Sequence, residues 1–263
     1  VLHLWTQKEK GKKICLYNGA SEKDEARFIA EKIIELTQNG YQNDQIAILY
    51  RTNAQSRILE EVLLRYNLNY KLIGGVRFYE RREVKDALAF LRTLVNPQDS
   101  FSWQRIEKIG KRIKGKWEKF SQENKPSPKL ESAKLVKLAL EESGYLGKLN
   151  PEKEEDLSRI ENIKELVSVA QNFPNIDDFL ANIALMEEEY FPQGKLESQN
   201  GQAAAVNLMT LHRAKGTEFP VVFISGLEEG LLPHYRALNN PQELEEERRL
   251  CYVGLTRAQE KLF

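Results

Sequence analysis

Five polar or glycine positions crowd into nine residues at Thr210, His212, Lys215, Gly216 and Glu218, within VNLMTLHRAKGTEF. An apolar run, 205–210, leads into them, and a second, 220–225, follows. Read as strand, turn and strand, this places polar groups at the carboxyl end of a parallel strand. Open α/β sheets bind their ligands there, because backbone and side-chain polar groups converge beyond the strand ends. A second cluster lies in ELEEERRLCYVGLTRAQEKL, 243–262. Arg257 stands just past a helix that ends near Gly254 and Thr256. A guanidinium there suits a phosphate, since it is always charged and binds anionic oxygens in pairs. Its structural alternative is a helix-end ion pair with Glu245, Glu246 or Glu247. A third lies in IAILYRTNAQSR, 46–57, where a buried strand delivers Tyr50 and Arg51 together. An aromatic beside an arginine offers a base-stacking face and a phosphate contact.

One further pattern imitates a phosphate loop. Gly110, Gly115 and Lys116 stand at the glycine and lysine positions of GxxxxGK[ST]. Trp117 follows where a Mg²⁺-ligating hydroxyl is needed, and no apolar strand precedes, so the chain carries no phosphate-cradling loop of its own. The same stretch, 101–120, holds seven cations against Glu107 and Glu118, with Trp103, Trp117 and Phe120 interleaved. That composition fits a nucleic-acid patch. It fits equally a solvated helix face whose aromatics are core.

The elements that position these residues follow from periodicity. Residues 13–17 (KICLY) read as a strand. Residues 21–38 read as a helix with Ser21 as N-cap and an apolar stripe of Phe28, Ile29, Ile33 and Leu36. Strands at 45–50 and 69–73 flank a helix at 54–66, giving the β-α-β alternation of a parallel sheet. A helix at 81–95 stops before Asn96-Pro97. From about 98 to 198 strand signals vanish, and helical patterns at 101–120, 131–143, 154–172 and 176–190 follow one another. Residues 192–203 read as a polar linker. Strand signals then return, with a helix at 243–254. The expectation is an α/β domain, 1–97 with 199–263, interrupted by an all-α insertion, 98–198.

Composition bounds the partners. The 263 residues balance 39 Lys+Arg against 39 Asp+Glu, so any nucleic-acid surface must be local. The two cysteines, Cys15 and Cys251, make no disulfide framework and fit a reducing compartment. The three histidines stand at no metal-ligand spacing, so no structural metal is expected. No run is long enough to span a membrane. Val1 and Phe263 read as cuts in a longer protein.

Together the segments resemble the C-terminal half of UvrD/Rep/PcrA-type superfamily 1 DNA helicases. IAILYRTNAQSR looks like motif IV, and GGVRFYERREVKDALAFLR like the segment after it. VNLMTLHRAKGTEFPVVFISGLEEGLLPH looks like motif V with its extension, and EEERRLCYVGLTRAQEKL like motif VI. The resemblance implies a RecA-like motor domain, 2A, split by a helical 2B subdomain shorter than usual. It implies ATP as substrate with Mg²⁺, and a 3′→5′ helicase or translocase working on single-stranded and duplex DNA in repair or replication in the cytoplasm. By the same resemblance Tyr50 stacks on adenine, Arg51 and Arg257 contact the γ-phosphate, Glu218 bonds the ribose beside Gly216, and Thr210 and His212 touch single-stranded DNA. Lys111, Arg112 and Lys114 stand where relatives carry a Gly-rich turn that contacts duplex DNA. Arg213 and Thr217 depart from the usual AAKGLEF. The P-loop and Mg²⁺ carboxylates would lie in an N-terminal 1A/1B half that completes the ATP site, so this chain alone is expected not to hydrolyse ATP. Repair or replication proteins are further expected partners. Two other readings stand beside this one: a non-catalytic binding module built on the basic helices, or part of a RecB/AddA-like helicase–nuclease.

Overall fold

Strand β1, Ile46–Tyr50, is buried along its whole length. A strand covered on both faces reads as an unbroken apolar run, and IAILY is one. In a computed structural model describing residues 11–123, 130–190 and 204–263, β1 is the centre of a five-stranded, all-parallel sheet. The other strands are β2 (Tyr70–Leu72), β3 (Val206–Thr210), β4 (Phe219–Ile224) and β5 (Ala258–Leu262), in the order β2-β3-β1-β4-β5. Tyr50 pairs with Thr210 and Leu49 with Ile224, so β1, β3 and β4 end at one level. The β4–β5 register shifts between Phe219 and Val221, around Pro220, which has no N–H to give the ladder.

Alternation along the strands sorts side chains onto two faces. Ile46, Ile48, Tyr50, Leu208, Val221 and Phe223 share one core with helices α1 (Glu22–Gln38) and α2 (Ser56–Arg65). Ala47, Leu49, Met209 and Val222 share the other with Leu211, Ala214 and Leu232, against Leu250 and Cys251 of the last helix, Pro241–Leu255. Ser21 caps α1 by accepting from the Asp24 amide. Residues 13–17, expected as a strand, form none. Among the described residues the segment gives one backbone bond, Cys15 N to Leu262 O, at the β5 edge. Ile14 and Leu16 stay exposed, so no packed face rewards regular pairing there.

The chain divides into two compact units, 1–75 with 200–263, and 76–199. The first unit's opening segment thus ends at Gly75, and the helix at 81–95, expected in the α/β domain, groups with the helices. Helix α3 (Arg82–Val95) belongs with the helical unit because its buried face, including Val84, Leu88, Phe90 and Leu91, packs among α4 (Ser100–Ile109), α5 (Lys111–Glu123), α6 (Ser132–Glu142) and α7 (Glu154–Ala170). Helix α8 is Ile176–Tyr190, which leaves Pro241–Leu255 as α9. The single helix expected over 101–120 is broken at Gly110, whose φ of 154° interrupts the helical path. Residues 111–116 are helical, which rules out a phosphate loop at Gly110–Lys116. The linker expected at 192–203 lies outside the described residues.

The helical unit holds its core with polar pins. Trp117 is fully buried and donates Nε1–H to Thr93 Oγ1 at 2.9 Å. Asp86, 2% exposed, accepts from Arg105 Nε at 2.7 Å and from the Tyr145 hydroxyl at 2.9 Å. Burial first, then the Asp86 charge and that hydrogen bond, push the Tyr145 hydroxyl far above its ordinary pKa. Of the aromatics interleaved with the basic run, Trp117 is core, Phe120 stacks on it, and Trp103 gives its N–H to Pro97 O.

Candidate functional site

The expected site residues separate into two groups at opposite ends of the sheet. Tyr50, Arg51, Thr210 and His212 lie at or just past the carboxyl ends of β1 and β3. Gly216, Glu218 and Arg257 lie at the amino ends of β4 and β5, where Phe219 N donates to Arg257 O at 3.0 Å. The length of β4, roughly 20 Å at 3.3 Å per residue, separates the two levels.

Strand parity decides the fate of Tyr50 and Arg51. Tyr50 follows Ile46 and Ile48 onto the α1/α2 face and is 2% exposed inside that core. This corrects the adenine-stacking expectation, since a ring enclosed by its own core offers no face to a base. Arg51 turns the other way, toward α9. Its Nε lies 3.0 Å from both carboxylate oxygens of Glu247, and its Nη2 lies 2.8 Å from Oε1. His234 N donates to Glu247 Oε2 at 2.9 Å. Burial works to raise the Glu247 pKa. The hydrogen bonds from Arg51 and His234, with the Arg51 charge, outweigh it and hold the carboxyl below its ordinary range. Arg51 therefore serves as a clasp between β1 and α9, and the expectation that it meets Arg257 on one phosphate is corrected.

Around the clasp the backbone is held closely. Gln55 Oε1 accepts from Arg51 N at 3.0 Å and Thr52 N at 2.8 Å. Glu25 of α1 accepts from the Ser225 hydroxyl and from Gly226 N, both at 2.9 Å. Gly226 has φ of 73°, and a Cβ there would collide with Gln55 Nε2. Sequence reasoning missed Gln55, Glu25 and Glu247. From sequence the triplet Glu245–Glu247 offers only an alternative partner for Arg257.

At the opposite end, Arg257 pairs with none of those glutamates. Glu245 and Glu246 pair with Arg248 and Arg249. Arg257 donates Nε–H to Val253 O and Nη1–H to Thr217 O, both at 2.9 Å, and Nη2–H to Thr256 Oγ1 at 3.0 Å. Each η nitrogen carries two hydrogens. One on each is therefore left for a ligand, on a guanidinium whose orientation three oxygens have set. Glu218 is exposed and accepts from Gln259 Nε2 at 3.2 Å. Gly216, at φ 86°, lets the turn close beside it. Three of the expected groups thus share one end, with one cation, one carboxylate and an open backbone.

At the carboxyl end, Thr210 is half-buried, and His212 and Arg213 are exposed on the turn; Lys215, also exposed, lies on the stretch that runs from there to Gly216. Arg213 lies against Gly74, where a Cβ would sit 2.9 Å from its Nε. In the helical unit Lys111 and Arg112 are exposed, and Lys114 pairs with Glu107 at 3.3 Å. Among the described residues no group of three or more His, Cys, Asp or Glu could hold a metal ion. No helix among them is long and apolar enough to cross a membrane.

Comparison with known proteins identifies the family. The model of the UvrD-like helicase C-terminal domain matches residues 2–127 and 109–263. A protein of Bacillus subtilis named ATP-dependent DNA helicase PcrA is 40% identical over 309 residues, covering 99% of this chain and 42% of the relative. Proteins of that name from Staphylococcus epidermidis and Staphylococcus aureus are 36% identical over 311 residues, with the same coverages. The chain thus spans less than half the length of these relatives. The aligned stretches exceed its own 263 residues, so the relatives carry residues that it lacks.

Proposed function

The chain belongs to the UvrD-like helicase C-terminal domain family, and on that premise we propose that it is the C-terminal half of an ATP-dependent 3′→5′ DNA helicase. The α/β unit is its second RecA-like motor domain, 2A, and the helical unit is a shortened 2B. The observation that carries the assignment of roles is the sheet's division into two ends.

The amino end of β4 and β5 faces nucleotide. Arg257 bonds the γ-phosphate with the N–H groups that Thr217, Val253 and Thr256 leave over. Glu218 accepts from the ribose, and Gly216 lets the turn approach it. Charge spreads over phosphoryl oxygens as the bond to the leaving group loosens, so a fixed guanidinium lowers the barrier. In GTPases such an arginine contributes about 10³–10⁵ in rate. Mg²⁺, which neutralises the phosphates, finds its ligands on the N-terminal 1A/1B half, as does the P-loop. The carboxyl end faces single-stranded DNA through Thr210 and His212. Lys111, Arg112 and Lys114 contact duplex DNA, Lys114 after exchanging Glu107 for a phosphate. The protein works in the cytoplasm, with repair or replication proteins as partners.

The test is DNA-stimulated ATP hydrolysis by the full-length parent carrying single substitutions. Arg257→Ala lowers turnover by about 10³ or more, on the scale of such arginines. Arg51→Ala keeps turnover within roughly tenfold but lowers stability, since a hydrogen-bonded charged group is worth about 1.5–3 kcal/mol. Equal loss of turnover in both would restore a shared phosphate site and overturn the two-ended assignment.

A further inference from the structure

Helices α3 and α4 pack against each other and leave a groove of about 330 Å³ between their outer faces. Lys85, Ala89 and Arg92 line it from α3, at helical spacing of four and three. Phe101, Gln104, Arg105 and Lys108 line it from α4 with the same repeat. Ala89 is the small residue between the two stripes. The only acidic side chain in the lining is Glu187 of α8, which holds Arg92 at 3.1 Å.

Arg105 is anchored from below. Its Nε donates to Asp86, and its Nη2 donates to Arg82 O at 3.1 Å. The ammonium groups of Lys85 and Lys108 have no hydrogen bond or ion pair among the described residues, although Lys85 is half-buried in the groove. Phe101 stands at the rim with 83% of its surface exposed, more than a folded protein leaves to an aromatic that packing can use. The amide of Gln104 is exposed beside it. Four cations, two of them held by Glu187 and Asp86 and two unpaired among the described residues, around a concave floor with an exposed ring at its edge, form a complementary surface for a polyanion that also carries flat aromatic groups. Single-stranded nucleic acid has that chemistry, since phosphates pair with the cations and a splayed base stacks on the ring. An acidic peptide would satisfy the cations alone and leave Phe101 bare.

We propose that this α3/α4 groove is a binding site for single-stranded nucleic acid, with Lys85 and Lys108 on phosphates and Phe101 stacked on a base. The site goes beyond the roles proposed for Thr210 and His212 and does not depend on them.

The experiment is fluorescence anisotropy of a labelled oligothymidylate with the full chain, titrated across salt concentrations. It is repeated in a His212→Ala background, to separate the groove from the turn after β3. Lys85→Gln with Lys108→Gln weakens binding roughly tenfold at low salt. It also lowers the slope of log K against log salt by about 1.4, because each phosphate contact on a single strand contributes about 0.7. Phe101→Ala weakens binding by roughly tenfold with the slope unchanged, as expected for stacking. Lys137→Gln with Lys153→Gln, exposed lysines outside the groove, leaves both quantities as they were. If the lysine pair lowers the melting temperature, Phe101→Ala alone decides, since its side chain is 83% exposed and its loss removes little packing. Wild-type affinity in the groove variants, or equal loss in the Lys137/Lys153 control, overturns the proposal. Labelled poly-glutamate is titrated in parallel, and loss of its binding in the groove variants with oligothymidylate binding kept also overturns the proposal, because it would assign the groove to an acidic peptide.

Discussion

Arg51 and Glu247, 196 residues apart in sequence, form a three-contact clasp with distances of 2.8–3.0 Å. It joins the end of the central strand to the helix that leads to Arg257. Glu247 also receives the His234 amide, so one carboxylate holds a strand, a helix and a loop. Glu247→Gln keeps the shape but removes the charge. The expected loss is roughly 1.5–3 kcal/mol, the range for hydrogen bonds to charged groups. Urea unfolding of the full chain measures it, and a loss below about 0.5 kcal/mol would show the clasp to be idle.

The same pair gives an acid limit. The Glu247 pKa in the folded chain lies below its unfolded value, so the unfolded state binds the proton first. Its contribution to stability is complete above the ordinary carboxylate range and is lost as pH falls through the depressed folded value. Stability against pH should therefore fall less steeply at low pH in Glu247→Gln than in the parent. Identical slopes would contradict the shift.

Gly254 sits inside α9, where alanine would ordinarily favour the helix by about 1 kcal/mol. Here a Cβ would run into Leu211 Cδ2, with Ile224 Cδ1 at 3.3 Å behind it. Leu211 is fully buried, so its side chain must repack within the core to admit the new methyl group. Overpacking of this kind costs about 1–3 kcal/mol, so Gly254→Ala should destabilise on balance. A raised melting temperature would mean that Leu211 repacks freely and that overpacking does not set the balance.

Trp117 anchors the helical unit through its burial and its bond to Thr93. Trp117→Ala should cost about 3–5 kcal/mol, as large aromatic truncations do. Trp117→Phe should cost less, because it loses the hydrogen bond but keeps most of the buried volume. Denaturant midpoints of the two variants give the comparison, and equal losses would place the energy in the hydrogen bond instead.

The two cysteines should differ in reactivity. Cys15 is exposed, whereas burial raises the pKa of the Cys251 thiol against the sheet. The thiolate is the nucleophile, so iodoacetamide at neutral pH should alkylate Cys15 first, read by mass spectrometry of the digested chain. Faster labelling of Cys251 would mean that α9 leaves the sheet readily.

Much of this protein is legible in its residues. Ser21, the stripe of α1, the run IAILY and the breakers between the helices mark elements that the structure forms within a residue or two. Periodicity and capping are local, and local rules survive folding. The motif-bearing segments likewise carry the family resemblance without any coordinates. What escaped was orientation and allegiance. IAILY is apolar on both sides, so nothing in it says which face receives Tyr50 and which receives Arg51. Helix α3 is amphipathic in either unit, and only its packing partners assign it to the helical one. KICLY has the composition of a strand, yet it makes one bond at an edge whose neighbours leave it exposed. The sequence by itself determined most of the elements, their order and the family; the strand expected at 13–17 and the unbroken helix expected over 101–120 are the exceptions. Tertiary structure alone decided which side chains share an end of the sheet, because that depends on strand parity and register between segments distant in the chain.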